Sequence, residues 1–177
     1  MAGSRLLLQE SIHDEFVERL VAIASKAKLG DPSLPDVQVG PVATRPQFDK
    51  VVSYIDIAKA EGAHCAFGGK VRSGPGYGAG QFVEPTIFTG VDNGMRIAQE
   101  EVFGPVLSVL KFKDEADAVR IGNDIRFGLA AGVWTRSLHR AMHMSERLKA
   151  GTVWINNYRS TSFTTVSYTH LTLPTKA

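Results

Sequence analysis

The chain has 177 residues, 44% of them hydrophobic and 21% charged, which fits one ordinary globular domain with a sizeable core. Its 20 basic and 18 acidic residues leave a formal charge of +2, too even to point to a nucleic-acid or membrane partner. No apolar run approaches the ~20 residues of a membrane helix. A single cysteine excludes an internal disulfide and a thiolate-rich zinc site, so the expectation is a soluble protein of a reducing, cytoplasmic compartment.

Residues 4–10 (SRLLLQE) predict a short strand with Leu6, Leu7 and Leu8 as a buried run. Ser11 then reads as the N-cap of a helix, with Asp14 imitating a capping box. Ile12, Phe16, Leu20, Ile23 and Ala27 follow at helical spacing and predict its apolar face. Gly30 and Pro32 are expected to end it. The stretch from Asp31 to Pro46, with four prolines, predicts a loop. Thr44 and Gln47 form a second capping pattern, and Phe48, Val51, Val52, Ile55 and Ala58 predict the core face of a helix ending near Gly62.

Residues 63–67 predict a short strand, and six glycines between 68 and 80 predict turns and a hairpin tip. Those glycines give no G-x-G-x-x-G followed by a helix, so a nucleotide loop is the poorer reading. Phe82 to Phe88 resume as extended chain, broken at Pro85. Beyond them the pattern alternates: strand at Val106–Phe112, helix at Asp114–Asn123, strand at Leu129–Thr135, helix from Ser137 to Ala150, and strand at Thr152–Ile155. Such alternation predicts an α/β fold, a mostly parallel sheet flanked by helices. From Ser160 onward the chain is rich in Ser and Thr and shows no apolar face.

Three clusters invite chemistry. His139, His143 and Glu146 share a helix face, but Arg140 occupies the position of the glutamate in H-E-x-x-H, so a solvated face is the better reading and no metal is expected. Cys65 lies in a short apolar strand and reads as a buried structural thiol rather than a nucleophile. Glu100 and Glu101 stand before Val102-Phe103-Gly104-Pro105 at a strand entrance. That arrangement suits either a carboxylate accepting hydrogen bonds from a ribose diol beside a flat aromatic, or a charged loop followed by a core phenylalanine.

Read together, MAGSR at 1–5, GPVATRPQFDKV at 40–51, VEPTIF at 83–88, EEVFGPV at 100–106, GLAAGVWT at 128–135 and GTVWINNY at 151–158 resemble aldehyde dehydrogenases in order and spacing. The resemblance covers residues 1 to about 165 as part of that family's catalytic domain. Residues 166–177 are similar to no family segment and read as an added tail. The family oxidises an aldehyde to a carboxylic acid with NAD or NADP through a cysteine thiohemiacetal.

By position, Glu101 resembles the glutamate that holds the nicotinamide ribose, and Phe103 the aromatic beside the nicotinamide. Gln47 and Lys50 match positions near the same ribose. Asn156 resembles a supporting asparagine near the active centre, and Asn157 and Thr161 fall where the family lines its aldehyde tunnel. The resemblance places the nucleophilic cysteine immediately before Met1, and so implies no catalytic residue within the chain and no activity for it alone. It further implies a small-molecule aldehyde partner and a homo-oligomeric parent. The alternative left open is a non-catalytic α/β binding or assembly module.

Overall fold

The computed structural model describes residues 3–158. Thr161 and the segment 166–177 therefore lie outside the described residues. The chain divides into two compact units, residues 2–111 and the part from Phe112 onward.

In the first unit, β1 (Arg5–Gln9) leads through a 3-10 turn (Glu10–Ile12) into α1 (His13–Ala24), and α2 spans Arg45–Ala60. Then come β2 (His64–Phe67), β3 (Val71–Gly74), β4 (Gly78–Val83), β5 (Thr86–Thr89), the short α3 (Arg96–Gln99) and β6 (Val106–Phe112). Four strands form one mostly parallel sheet in the order β1-β6-β5-β2, with β5 and β6 parallel and β2 antiparallel to β5. Strand alternation sends neighbouring side chains to opposite faces. Leu8, Ile87 and Val109 accordingly share one face, where Leu6, Leu107 and Val17, Leu20, Val21 and Ala24 of α1 pack on them. Thr86, Phe88, Val106, Ser108 and Leu110 alternate with that set and are also buried. Phe88 is wholly buried, worth about 2–3 kcal/mol of apolar transfer.

Pro85 ends β4, and the glycine-rich segment forms the β3–β4 hairpin. Gly68 has φ +73, and a Cβ there would stand 2.0 Å from the Pro85 carbonyl oxygen, so this corner accepts only glycine.

Two expectations for α1 fail. The 3-10 turn consumes Ser11, and the N-cap becomes Ile12, with no side-chain cap. The helix also stops at Ala24, short of Gly30, because Lys28, Leu29 and Gly30 turn to bond Gln38 and Val39. The stripe packed on the sheet is thus the partly buried Val17, Leu20, Val21 and Ala24, of which only Leu20 belongs to the expected face, whereas Ile12, Phe16 and Ile23 are exposed. Two apolar stripes overlap in this segment, and the extra turn selects between them.

The second unit contains α4 (Glu115–Asn123), β7 (Ala130–Val133), α5 (Leu138–Arg147) and β8 (Thr152–Ile155). Asp114 caps α4 by accepting from the Asp117 amide at 2.9 Å, and Ser137 caps α5 by accepting from the Arg140 amide at 3.3 Å. β7 and β8 pair in parallel across α5, a βαβ unit. The three strands of the second half do not share a sheet: β6 pairs with β5, while β7 and β8 form their own. Among the described residues no helix is long and apolar enough to cross a membrane.

Glu115 joins the two helices of this unit, accepting hydrogen bonds from the Arg140 guanidinium at 3.0 Å and from His143 Nδ1. The hydrogen bond to His143, with that to Arg140 behind it, holds its carboxyl below the ordinary glutamate value of 4.5. The stabilisation is present above that ordinary value and is lost as pH falls through the lowered folded-state value. In thermal unfolding the native chain should therefore melt above Glu115→Gln at neutral pH, and the difference should close in acid. A difference that stays constant from neutral pH into the acid range would contradict this pairing.

Candidate functional site

Thr44 starts the helix that builds the site. Its Oγ1 accepts from the Gln47 amide at 3.4 Å, and Pro46 occupies the first turn, where a missing N–H costs nothing. From there Gln47, Lys50, Val51 and Tyr54 recur at helical spacing along one face of α2. The loop from Glu100 to Pro105, between α3 and β6, lies along that face.

The contact is made by side chains of α2 on the loop's main chain. Gln47 Nε2 donates to the carbonyl of Val102 at 2.7 Å and to that of Phe103 at 2.9 Å. Lys50 Nζ donates to the Glu101 carbonyl at 2.7 Å and stands 5.7 Å from the ring centroids of both Tyr54 and Phe103. Gly104 presses against Val51: a Cβ there would fall 2.5 Å from Val51 Cγ2 and 3.0 Å from Cγ1. Phe103 itself is bent into the left-handed region at φ 53, and its ring is 70% exposed. A bulky residue held there with its side chain in solvent is strained for a reason other than packing.

The two glutamates before it have opposite environments. Glu100 takes both Arg96 donors, Nε at 2.8 Å and Nη2 at 3.1 Å, and accepts from the Tyr54 hydroxyl. That hydrogen bond, reinforced by burial and by the carboxylate's charge, pushes the Tyr54 phenol above its ordinary 10.0. The same carboxylate raises Arg96. The Glu101 side chain is exposed and makes no hydrogen bond or ion pair among the described residues. It is an unengaged carboxylate two residues before an open aromatic ring.

The expected residues Gln47, Lys50, Glu101 and Phe103 are thus brought together within the first unit. Glu100, noted from sequence beside Glu101, belongs to the same cluster, as do Tyr54 and Arg96, which were not singled out from sequence. The signals for them were the Tyr54 position one turn beyond Lys50 and the Arg96–Glu100 pair at i, i+4.

Asn156 and Asn157 stand in the second unit, just past β8. Asn156 adopts φ 49, a conformation asparagine tolerates. Its side chain accepts from the Thr135 amide and donates to the Thr135 carbonyl, each at 2.9 Å, while its own amide donates to Val133 at 2.8 Å. It thereby prolongs the β7–β8 ladder. Asn157 accepts from the Tyr158 amide at 2.7 Å. A cleft of about 720 Å³ opens at the carboxyl ends of these strands, lined by Trp134, Thr135, Arg136, Leu138, Ile155 and Asn156. Parallel α/β units place ligands at such ends. Cys65 Sγ faces the Phe67 and Gly68 carbonyls at 3.4 and 3.7 Å, a thiol engaged by main chain.

The fold and this corner define an α/β unit with an exposed carboxylate and an exposed aromatic ring at the entrance to a buried strand. Comparison with known proteins identifies its family. The aldehyde dehydrogenase family model matches residues 1–169, and the chain belongs to that family. It is 53% identical over 159 residues to a betaine aldehyde dehydrogenase of Mesorhizobium japonicum, covering 90% of this chain and 33% of that protein. To an aldehyde dehydrogenase of Emericella nidulans it is 49% identical over 162 residues, covering 92% and 32%.

Among solved structures, betaine aldehyde dehydrogenase from Staphylococcus aureus in complex with NAD+ superposes with a TM-score of 0.88 at 44% identity, over 90% of this chain and 32% of that one. An aldehyde dehydrogenase from Pseudomonas aeruginosa gives 0.86 at 45%, with the same coverage. The chain spans about a third of the length of the curated relatives it matches.

Four substitutions, at positions 104, 51 and 103, test the geometry of the corner. Gly104→Ala should destabilise the chain by about 1–3 kcal/mol through overpacking against Val51, and Val51→Ala in the same chain should recover part of it; denaturant titration of the double-mutant cycle reads both. At position 103, Phe103→Gly should be more stable than Phe103→Ala by about 1 kcal/mol, because only alanine retains the left-handed penalty. Equal stabilities would mean that the positive φ is not maintained in solution.

Proposed function

We propose that this chain supplies the nicotinamide-facing corner of an NAD(P)-dependent aldehyde dehydrogenase, an enzyme of the cytoplasm that converts an aldehyde to a carboxylic acid. The observation that carries the reading is the exposed Glu101 carboxylate, unengaged among the described residues, beside the strained and exposed Phe103 ring. Glu101 would accept the two ribose hydroxyls, Phe103 would cover the ring, and Gln47 and Lys50 would stand at the edge of the same ribose. When bound, the cofactor accepts the hydride released from the aldehyde carbon.

The chain's own residues orient it and exclude water from one side. Asn156, Asn157 and Thr161 would form part of the aldehyde-facing wall, with Asn156 fixing the course of the backbone there. Relatives named as betaine aldehyde dehydrogenases and one solved in complex with NAD+ support the cofactor class.

Covalent aldehyde oxidation needs a free thiolate. The sole cysteine here is Cys65, half-buried and hydrogen-bonded to main-chain carbonyls, so these 177 residues assayed alone should form no NADH above a no-protein control. Activity is tested by exchanging residues 3–158 for the matching third of the Mesorhizobium japonicum relative. The hybrid should oxidise aldehydes with NAD+, and Glu101→Ala should raise its KM for NAD+ by roughly tenfold to a hundredfold, the loss of charge-assisted hydrogen bonds. Kinetics unchanged by both Glu101→Ala and Phe103→Ala would overturn the assignment.

A further inference from the structure

We infer that Tyr54, Glu100 and Arg96 are positioning residues that preset the Glu101–Phe103 corner for a nicotinamide riboside before any ligand arrives. The inference rests on the functional reading above and concerns a part of the corner that no ligand need touch.

Tyr54 is 8% exposed and lies one turn beyond Lys50 on α2. Two cations lie over its ring, Lys50 Nζ at 5.7 Å and the Arg96 guanidinium at 5.4 Å from the centroid. Its hydroxyl donates to Glu100, whose two carboxylate oxygens are also held by Arg96. Arg96 is itself fixed at the start of α3, its amide donating to Glu61 Oε2 at 3.0 Å. The loop is thus tied to α2 at the residue immediately before Glu101.

The consequence for Glu101 is geometric. Glu100 is extended, at φ −118 and ψ 153, so successive side chains point to opposite sides. Drawing Glu100 onto Tyr54 and Arg96 turns Glu101 outward and presents the carbonyls of residues 101 to 103 to Lys50 and Gln47. Lys50, between the Tyr54 and Phe103 rings, passes the constraint to Phe103. Glu100 is therefore the anchor and Glu101 the ligand-facing member of the pair.

The experiment uses the full isotope-labelled chain and nicotinamide mononucleotide, which carries the ribose and ring but no adenosine. Phe103 Cα and Cβ shifts report its left-handed backbone, and amide titration reports affinity. Tyr54→Phe and Glu100→Gln should each move the Phe103 shifts toward an averaged backbone and weaken binding by about tenfold, the worth of one hydrogen bond to a charged group. Asp56→Asn, on the exposed side of α2, should change neither reading. Tyr54→Leu, which also removes the ring beneath the cations, should exceed Tyr54→Phe, a gradation that a general loss of packing at a surface loop would not follow.

Should Tyr54→Phe fail to fold, Glu100→Gln, an isosteric change at a half-buried carboxylate, carries the test. Unchanged Phe103 shifts in the folded variants overturn the inference, as do altered shifts with unchanged affinity. A wild-type chain with left-handed Phe103 that binds no mononucleotide strikes the functional reading instead, and the shifts alone then decide the positioning claim.

Discussion

Three consecutive carbonyls, those of Glu101, Val102 and Phe103, end on two side chains of one helix, Lys50 and Gln47. Main-chain groups in a loop are ordinarily satisfied by water or by local turns, so this capture is what makes an irregular segment behave as a rigid one. It needs α2 to begin where it does, because the Thr44 cap sets which residues face the loop. It also needs no side chain at Gly104, since Val51 fills that space. The strain at Phe103, about 1–2 kcal/mol for a left-handed residue, is similar in size to what two or three hydrogen bonds contribute net.

Adjacent glutamates with opposite environments follow from the same constraint. An extended backbone cannot bring Glu100 and Glu101 to one side, so anchoring one exposes the other. Two carboxylates left together in solvent would repel each other and would offer a ligand no defined acceptor. With Glu100 engaged by Arg96 and Tyr54, the remaining carboxylate stands alone beside an aromatic ring.

The legible parts of this architecture were local ones. Thr44, Asp114 and Ser137 announce their helices because a cap and its amide partner lie three residues apart. The extent of β6 and the β3–β4 hairpin follow from apolar runs and glycine spacing. The phase of α1 was not legible, since Ile12–Phe16–Leu20–Ile23–Ala27 and Val17–Leu20–Val21–Ala24 both have helical spacing, share Leu20, and are told apart only by the sheet beneath. Nor was α3, whose four residues are too few to show a period. The division of the later strands into two sheets depends on pairings that no local pattern records. At the site, the resemblance named Gln47, Lys50, Glu101 and Phe103, but what Gln47 and Lys50 touch lies more than fifty positions away along the chain. Tyr54 carries no local signal of its role, because its partner Glu100 lies 46 positions further along the chain.

Preorganisation explains why so much polar chemistry is spent on a loop. A flexible segment ordered by its ligand would subtract the cost of ordering each residue, about 1–2 kcal/mol of backbone entropy, from the binding energy. Here the order is supplied by the helix. The ring of Phe103 stays in solvent although burying it would be favourable, because its backbone angle is set by hydrogen bonds it does not control. A surface aromatic held open in this way has a low penalty for receiving a flat partner. Asn156 shows the same economy at β8, where one side-chain amide takes the place of a missing ladder step and fixes the chain direction. At the corner polar side chains on a regular helix dictate the path of an irregular loop, whereas past β8 the asparagine that fixes the chain direction belongs to the irregular segment itself.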